Sequence, residues 1–273
     1  MEASDQLISL NKNSHKEFKV KCDLCTSIKC RSEYSMEYRR YLKILKENND
    51  KIVCIYCSRT TKFSGRNNPN TKYLSIDDNF FTEIDSNDKA YLLGWIASDG
   101  HIGTRGFKIS IHQKDIDTLI NLKNIICKEI PIKKFKTQTS SMCSFEINSK
   151  QISKDLCSLL KINPGAKSCT VNFPILKTDD LQWCFIRGYF DGDGSINDCN
   201  KSKFSYPKGN IRSNSEDMLN GIRKFSNLNG KITCNMISMS NNILLNFLKK
   251  MYSASGFKLE RKFQRYIGWK NNA

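Results

Sequence analysis

Two aspartates close long apolar runs in the same way. The first run reads Ala90-Tyr91-Leu92-Leu93-Gly94-Trp95-Ile96-Ala97-Ser98-Asp99-Gly100, the second Cys184-Phe185-Ile186-Arg187-Gly188-Tyr189-Phe190-Asp191-Gly192-Asp193-Gly194. A helix over either run ends at its aspartate, and the following glycine suits a left-handed cap. A carboxylate is disfavoured there, because a helix C-terminus already carries partial negative charge. The small pairs Gly94/Ser98 and Gly188/Gly192 let two such helices pack with their backbones close. Asp99 and Asp193 would then repel each other unless a hard divalent cation such as Mg2+ lies between them, with backbone groups near Gly100 and Gly194 beside it. Carboxylates holding such a cation on a basic protein point to phosphodiester hydrolysis.

A second cluster uses sulfur. Cys22-Asp23-Leu24-Cys25 and Cys54-Ile55-Tyr56-Cys57 each space two thiols so that a tight turn aims both at one ion. Together Cys22, Cys25, Cys54 and Cys57 make the four-thiolate set of a structural Zn2+ site. Cys30 is read as a spare, and the remaining seven of the 12 cysteines as small core hydrophobes. Cysteine-rich composition without an apolar leader predicts an intracellular chain with reduced or metal-bound thiols. No apolar run approaches membrane-spanning length.

The elements that must position these groups repeat. From about 78 to 165, and again from 179 to 266, the order is an apolar helix, strands, an amphipathic helix, strands and a closing helix. The amphipathic helices place Ile116, Leu119, Ile120, Leu122, Ile125 and Ile126, then Met218, Leu219, Ile222, Phe225 and Leu228, mainly on one face. Phe107–His112 and Cys143–Asn148 alternate as half-buried strands do. The predicted class is therefore α+β, a duplicated αββαββα unit with a small zinc-binding domain before it. Its boundaries are 1–75 for the zinc module and basic linker, 78–165 and 179–266 for the halves, 166–178 for their connection and 267–273 for a tail. A basic segment, Tyr38–Lys46, reads as a helix inside the zinc module.

Charge names the partner. In 273 residues, 44 Lys and Arg oppose 27 Asp and Glu, a net charge of +17. An excess of this size favours a polyanion such as nucleic acid. Polar and basic groups in or beside the strands form the expected contact surface: Lys108, Ser110, His112, Lys134, Lys136, Gln138, Lys201, Lys203, Arg212, Lys231 and Asn235. Lys and Arg suit phosphates and guanine, while Asn and Gln suit adenine.

The paired helix ends resemble the motifs of the LAGLIDADG homing endonucleases, in the form that fuses both halves in one chain. The resemblance covers roughly 78–266. Neither motif is literal: Ala97 stands at the first acidic position of its motif, and Leu93 and Arg187 replace an alanine. Asp99 and Asp193 match the last acidic position, which binds metal in the family. The run from Phe173-Pro174 to Ser195-Ile196, and the ending Leu259-Glu260-Arg261-Lys262-Phe263, are also similar to it. The resemblance adds Gln113 and Lys114 as residues bordering the active site, the lysine assisting the water or the transition state. The equivalent place in the second half, near Ser213-Asn214-Ser215, has no lysine. It further implies a saddle of two sheets on double-stranded DNA, a double-strand break, and a monomer with internal pseudo-two-fold symmetry. The ends of the chain lack the residues that flank a splicing element, so a free-standing enzyme is expected. The alternatives on the same fold are an intron RNA-splicing maturase and a non-catalytic DNA-binding regulator. Each could discard an aspartate, and both Asp99 and Asp193 are present.

Overall fold

A computed structural model describes residues 15–23, 30, 33–47, 52, 54, 57, 76–165, 167–201, 204–229 and 232–271. The chain divides into two compact units, Met1–Leu74 and Ser75–Ala273. None of the helices among the described residues is long and apolar enough to cross a membrane.

The first unit is built on an antiparallel pair, β1 (Glu17–Lys21) and β2 (Glu33–Glu37), followed by helix α1 (Tyr38–Glu47). Val20, Met36 and Ile52 form its small core, with Tyr41, Ile44 and Leu45 of α1 against them. Units with small cores commonly need a metal or cross-link, and the apolar burial among the described residues of this one is slight.

In the second unit the first half runs α2 (Asn87–Asp99), β3 (Gly100–Gly103), β4 (Gly106–His112), a 3-10 turn (Gln113–Asp115), α3 (Ile116–Ile126), β5 (Lys133–Lys136), β6 (Ser141–Asn148) and α4 (Lys150–Leu160). Its sheet is antiparallel in the order β3-β4-β6-β5. The second half runs α5 (Asp179–Asp193), β7 (Gly194–Lys201), β8 (Phe204–Arg212), α6 (Glu216–Phe225), β9 (Met236–Ser240) and α7 (Asn241–Met251), with sheet order β7-β8-β9. A further helix, α8 (Glu260–Asn271), follows. The first half is thus αββαββα. Among the described residues the second has three strands instead of four.

Helices α2 and α5 are the centre. Eight consecutive residues of α2, Ala90 to Ala97, are buried. Ser86 and Thr178 cap the two N-termini through their hydroxyls, accepting from Lys89 and Leu181 N–H. Close approach is enforced by glycine. A methyl group on Gly94 would lie 2.2 Å from Phe185 O, and one on Gly188 would lie 2.1 Å from Tyr91 O. Further along, one on Gly192 would meet Ser98 Oγ at 2.0 Å and Asp99 Oδ2 at 3.0 Å. The matched positions advance together, so the helices run in the same direction and both end at one place.

The glycines after the aspartates act differently from expectation. Gly100 has φ −76° and Gly194 has φ −94°, both outside the left-handed region. Space is what they supply: a methyl on Gly100 would lie 2.5 Å from Ile96 O, and one on Gly194 2.4 Å from the Phe190 ring. The chain leaves each helix directly into a strand, and the helix's own last turn fills the room a side chain would need.

Candidate active site and metal centre

Two parallel helices ending together align two negative dipole ends, and each adds a carboxylate. Burial, and then Asp193, raise the Asp99 pKa to about 6. The side chain reaches solvent at its edge while its carboxylate packs against Gly192 of the opposite helix. Asp193 is also raised by burial, partly offset by Lys167, by the nearby Tyr189 hydroxyl and by Lys262. Two desolvated carboxylates at paired helix ends are a donor set that fits a hard divalent cation.

The lysines that answer this charge escaped sequence reasoning. Lys167 Nζ donates to Ala97 O at 2.6 Å and Ser98 O at 2.7 Å, capping α2. Lys262 Nζ donates to Phe190 O at 2.6 Å, Asp191 O at 2.8 Å and Gly194 O at 2.6 Å, capping α5. Burial lowers each to about 8, against the pull of the neighbouring aspartates. Lys167 falls in the segment read as a plain connection. A signal was present: Lys167 follows Asp99 by 68 residues and Lys262 follows Asp193 by 69. In a duplicated chain, equal spacing from equivalent aspartates marks equivalent residues.

An open cleft of about 320 Å³ adjoins this point, lined by Ser98, Lys167, Tyr189, Asp193, Arg212 and Asn235. Arg212 and Asn235, expected only as strand-face groups, thus line the same cleft as Asp193. Gln113 and Lys114 form the 3-10 turn after β4, where Lys114 N–H donates to His112 Nδ1 at 3.1 Å. The cations acting on the two aspartates are Lys167 and Lys262 rather than Lys114. Of the backbone groups named for the cation, Gly194 O accepts from Lys262, and Gly100 N–H is engaged by Ile96 O.

Strand register sorts the remaining polar residues. Lys108, Ser110 and His112 alternate outward while Phe107, Ile109 and Ile111 are buried. Lys133 pairs with Ser144 and Phe135 with Met142, which places them on the Lys108 face. Lys108 Nζ lies 5.2 Å from the Phe135 ring centre, and Lys133 pairs with Glu146 at 3.8 Å. Lys134 and Lys136 therefore point the other way on this edge strand, correcting their inclusion in one shared basic face. Exposed Gln138 lies in the β5–β6 turn. In the second half Ser195, Asn197, Lys208, Asn210 and Arg212 share the outer face opposite Ile196, Ile211, Ile237 and Met239. Lys208 and Asn210 were legible from alternation but overlooked. Lys201 ends β7, and Lys203 and Lys231 lie outside the described residues.

In the first unit, the sulfurs of Cys22, Cys30, Cys54 and Cys57 all lie within 4.8 Å of one another. Cys30 is therefore a member of the cluster rather than a spare, and Cys25 lies outside the described residues. Bonds of ~2.3 Å to a tetrahedral Zn2+ put sulfurs roughly 3.8 Å apart, so four clustered thiols fit that ion. Backbone N–H groups already serve the sulfurs, Cys54 to Cys22 Sγ and Cys57 to Cys54 Sγ, each at 3.3 Å. Asp23 ties the two segments, its carboxylate accepting from Ile52 N–H at 2.6 Å. The Tyr34 hydroxyl is buried against the cluster, and burial with the nearby thiols raises its pKa to about 12.

Residues 180–232 match the family model described as the LAGLIDADG-like domain. No curated protein matches the chain. Similar solved structures include I-SmaMI bound to uncleaved DNA target in the presence of calcium ions, with 14% identity over 67% of this chain and 89% of that one and a TM-score of 0.45. The I-LtrWI LAGLIDADG homing endonuclease bound to target DNA has 12% identity over 70% and 89%, at 0.42. The I-GzeII homing endonuclease in complex with its DNA target has 11% identity over 72% and 89%, at 0.45. The residues matched by the LAGLIDADG-like domain model, 180–232, carry nearly all of α5, with Asp191 and Asp193, and the β7–β8 hairpin.

Proposed function

We propose that the protein is a site-specific DNA endonuclease that makes a double-strand break by metal-dependent phosphodiester hydrolysis. The observation that carries this reading is the junction of α2 and α5, where Asp99 and Asp193 meet and each helix end is capped by a lysine. A regulator that only bound DNA would gain nothing from two carboxylates whose burial opposes their charge. Asp99 and Asp193 would hold a divalent cation, with Mg2+ the natural choice for hard oxygen donors. A cation held there would supply polarisation of the phosphate and a more acidic water. Lys167 and Lys262 orient the helix ends, and as ammonium groups they offset negative charge on the scissile phosphate. The Tyr189 hydroxyl donates to Arg212 O at 3.4 Å, and Tyr189, Arg212 and Asn235 line the cleft with Asp193. The outer sheet faces supply phosphate contacts through Lys108, Lys133 and Lys208 and base-edge contacts through Asn197 and Asn210.

The four-cysteine unit is a structural Zn2+ module in this reading, and its basic residues extend the hold on DNA. The test is selection of cleaved sequences from a randomised DNA library in Mg2+, followed by linearisation of a plasmid that carries the selected site. Asp99→Asn and Asp193→Asn should each abolish double-strand cleavage while leaving target binding in place. Wild-type cutting rates in both variants would remove Asp99 and Asp193 from the chemistry. Tight binding to a structured intron with no DNA cleavage would turn the assignment to a maturase.

A further inference from the structure

The halves differ two residues before each site aspartate, where the first has Ala97 and the second Asp191. Asp191 is 1% exposed, between α2 and α5. Its Oδ2 accepts from the Tyr91 hydroxyl across the helix interface at 2.8 Å and from Leu259 N–H at 2.8 Å. Its Oδ1 has no hydrogen-bond partner among the described residues. A buried carboxylate left half-satisfied is costly, and a hydrophobic residue of similar size would avoid that cost. Stability alone therefore does not explain it.

Leu259 shows what the carboxylate holds. It immediately precedes α8, and its carbonyl accepts from Lys262 and Phe263 N–H at 3.0 and 3.1 Å. Asp191 thereby fixes the origin of α8, at the positive end of the helix dipole, where an anion is favoured. Lys262 stands in the first turn of α8. From there its ammonium reaches back to three carbonyls, one for each of its donors. Farther along α8, Arg265 donates to Ile196 O, and Trp269 Nε1 donates to Asp198 at 2.7 Å. Lys167 has no such frame. It begins a turn closed by Thr170 and Val171 N–H to its carbonyl, and its ammonium gives two bonds, to Ala97 O and Ser98 O. Among the described residues its third donor meets no acceptor, and Lys167 lines the cleft with Asp193.

We infer that Asp191 is a positioning residue that locks Lys262 onto the end of α5 through Leu259 and the start of α8, making the two halves unequal. Lys262 is a fixed strut with its donors committed. Lys167 keeps a donor for the phosphate. The consequence for cleavage rests on the endonuclease reading, whereas the lock itself does not.

The lock is tested on the full-length protein without DNA or divalent cation, by lysine-ammonium and amide hydrogen exchange in NMR. In the wild type, the Lys262 ammonium and the Leu259 amide should both exchange slowly, the ammonium signal being assigned by its loss in Lys262→Met. A Leu259 amide exchanging as fast as an exposed one overturns the lock without recourse to any variant. In Asp191→Asn the Lys262 signal should exchange about tenfold faster or more, as loss of a charge-assisted bond implies, with the Lys167 signal unchanged. An unaltered Lys262 signal, or equal acceleration at both lysines, overturns the inference. With a cleavable target labelled on both strands, Asp191→Asn should slow scission of one strand only; equal slowing of both reduces Asp191 to a fold-stabilising residue. Slow exchange in a protein that never cuts DNA would keep the lock and sink the endonuclease reading, so the two failures are distinguishable.

Discussion

Gly94→Ala places one methyl group where the α2 and α5 backbones touch. The new carbon would lie 2.2 Å from Phe185 O, 2.6 Å from Tyr189 N and 2.9 Å from Gly188 Cα, where ordinary contact begins at 3.4 Å. All three are backbone atoms, so no rotamer change relieves the overlap, and the helices must part locally by about 1 Å. Overpacking of this kind costs about 1–3 kcal/mol. For a unit of this size that lowers Tm by roughly 2–4 °C per kcal/mol. Activity should suffer more than stability, because the same displacement separates Asp99 from Asp193, and a misplacement of about 1 Å in a reacting geometry costs on the order of 100-fold in rate. Calorimetric melting and plasmid linearisation, run on the same preparation, measure the two effects. Gly103→Ala is the control, since a methyl there meets nothing closer than His101 Nε2 at 3.9 Å. If Gly94→Ala melts and cuts like the wild type, close helix contact does not set the spacing of the aspartates.

Other perturbations read other parts of the molecule. Because the Asp99 pKa is raised from 3.8 to about 6, the metal-free native state binds its proton more tightly than the unfolded chain does. The contribution of Asp99 to stability is therefore most favourable below pH 3.8 and declines as pH rises to about 6. Asp99→Asn should accordingly melt above the wild type at pH 7 without metal, and the gap should close on acidification. Lys167→Met should lower the cleavage rate by about 100-fold or more while retaining DNA binding, as loss of a group acting in the transition state does. Arg187, 1% exposed, donates to Ala254 O at 2.6 Å and Ser255 O at 2.9 Å beside Asp191. Arg187→Met should destabilise the second unit by about 1–3 kcal/mol for each buried carbonyl left without its donor, as read by denaturant unfolding. Cys30→Ser should strip Zn2+ from the first unit by elemental analysis. Retention of zinc there, with its loss in Cys25→Ser, would restore Cys25 to the ligand set.

Much of the framework was legible in the residues. Periodicity gave the helices and the β4 and β6 strands, because alternating burial leaves its pattern in composition. The pairs Gly94/Ser98 and Gly188/Gly192 announced a close helix contact, since only small residues permit one. The charges that act across the site were less visible. Lys167 and Lys262 look like surface lysines until folding carries them 68 and 69 residues back to the ends of their helices. Lys134 and Lys133 are adjacent in sequence and alike in chemistry; only the pairing of β5 with β6 decides which of them joins Lys108.

The sequence by itself determined the duplicated unit, the two aspartates and the thiol-rich first unit, because helix and strand periods and motif spacings are local properties of the chain. Tertiary structure alone decided which cations answer the aspartates, that Cys30 joins the sulfur cluster, and that Asp191 is buried where its counterpart is Ala97. Each of those facts depends on contacts between residues far apart in the chain, and neither burial nor the electrostatics it amplifies exists until those contacts form.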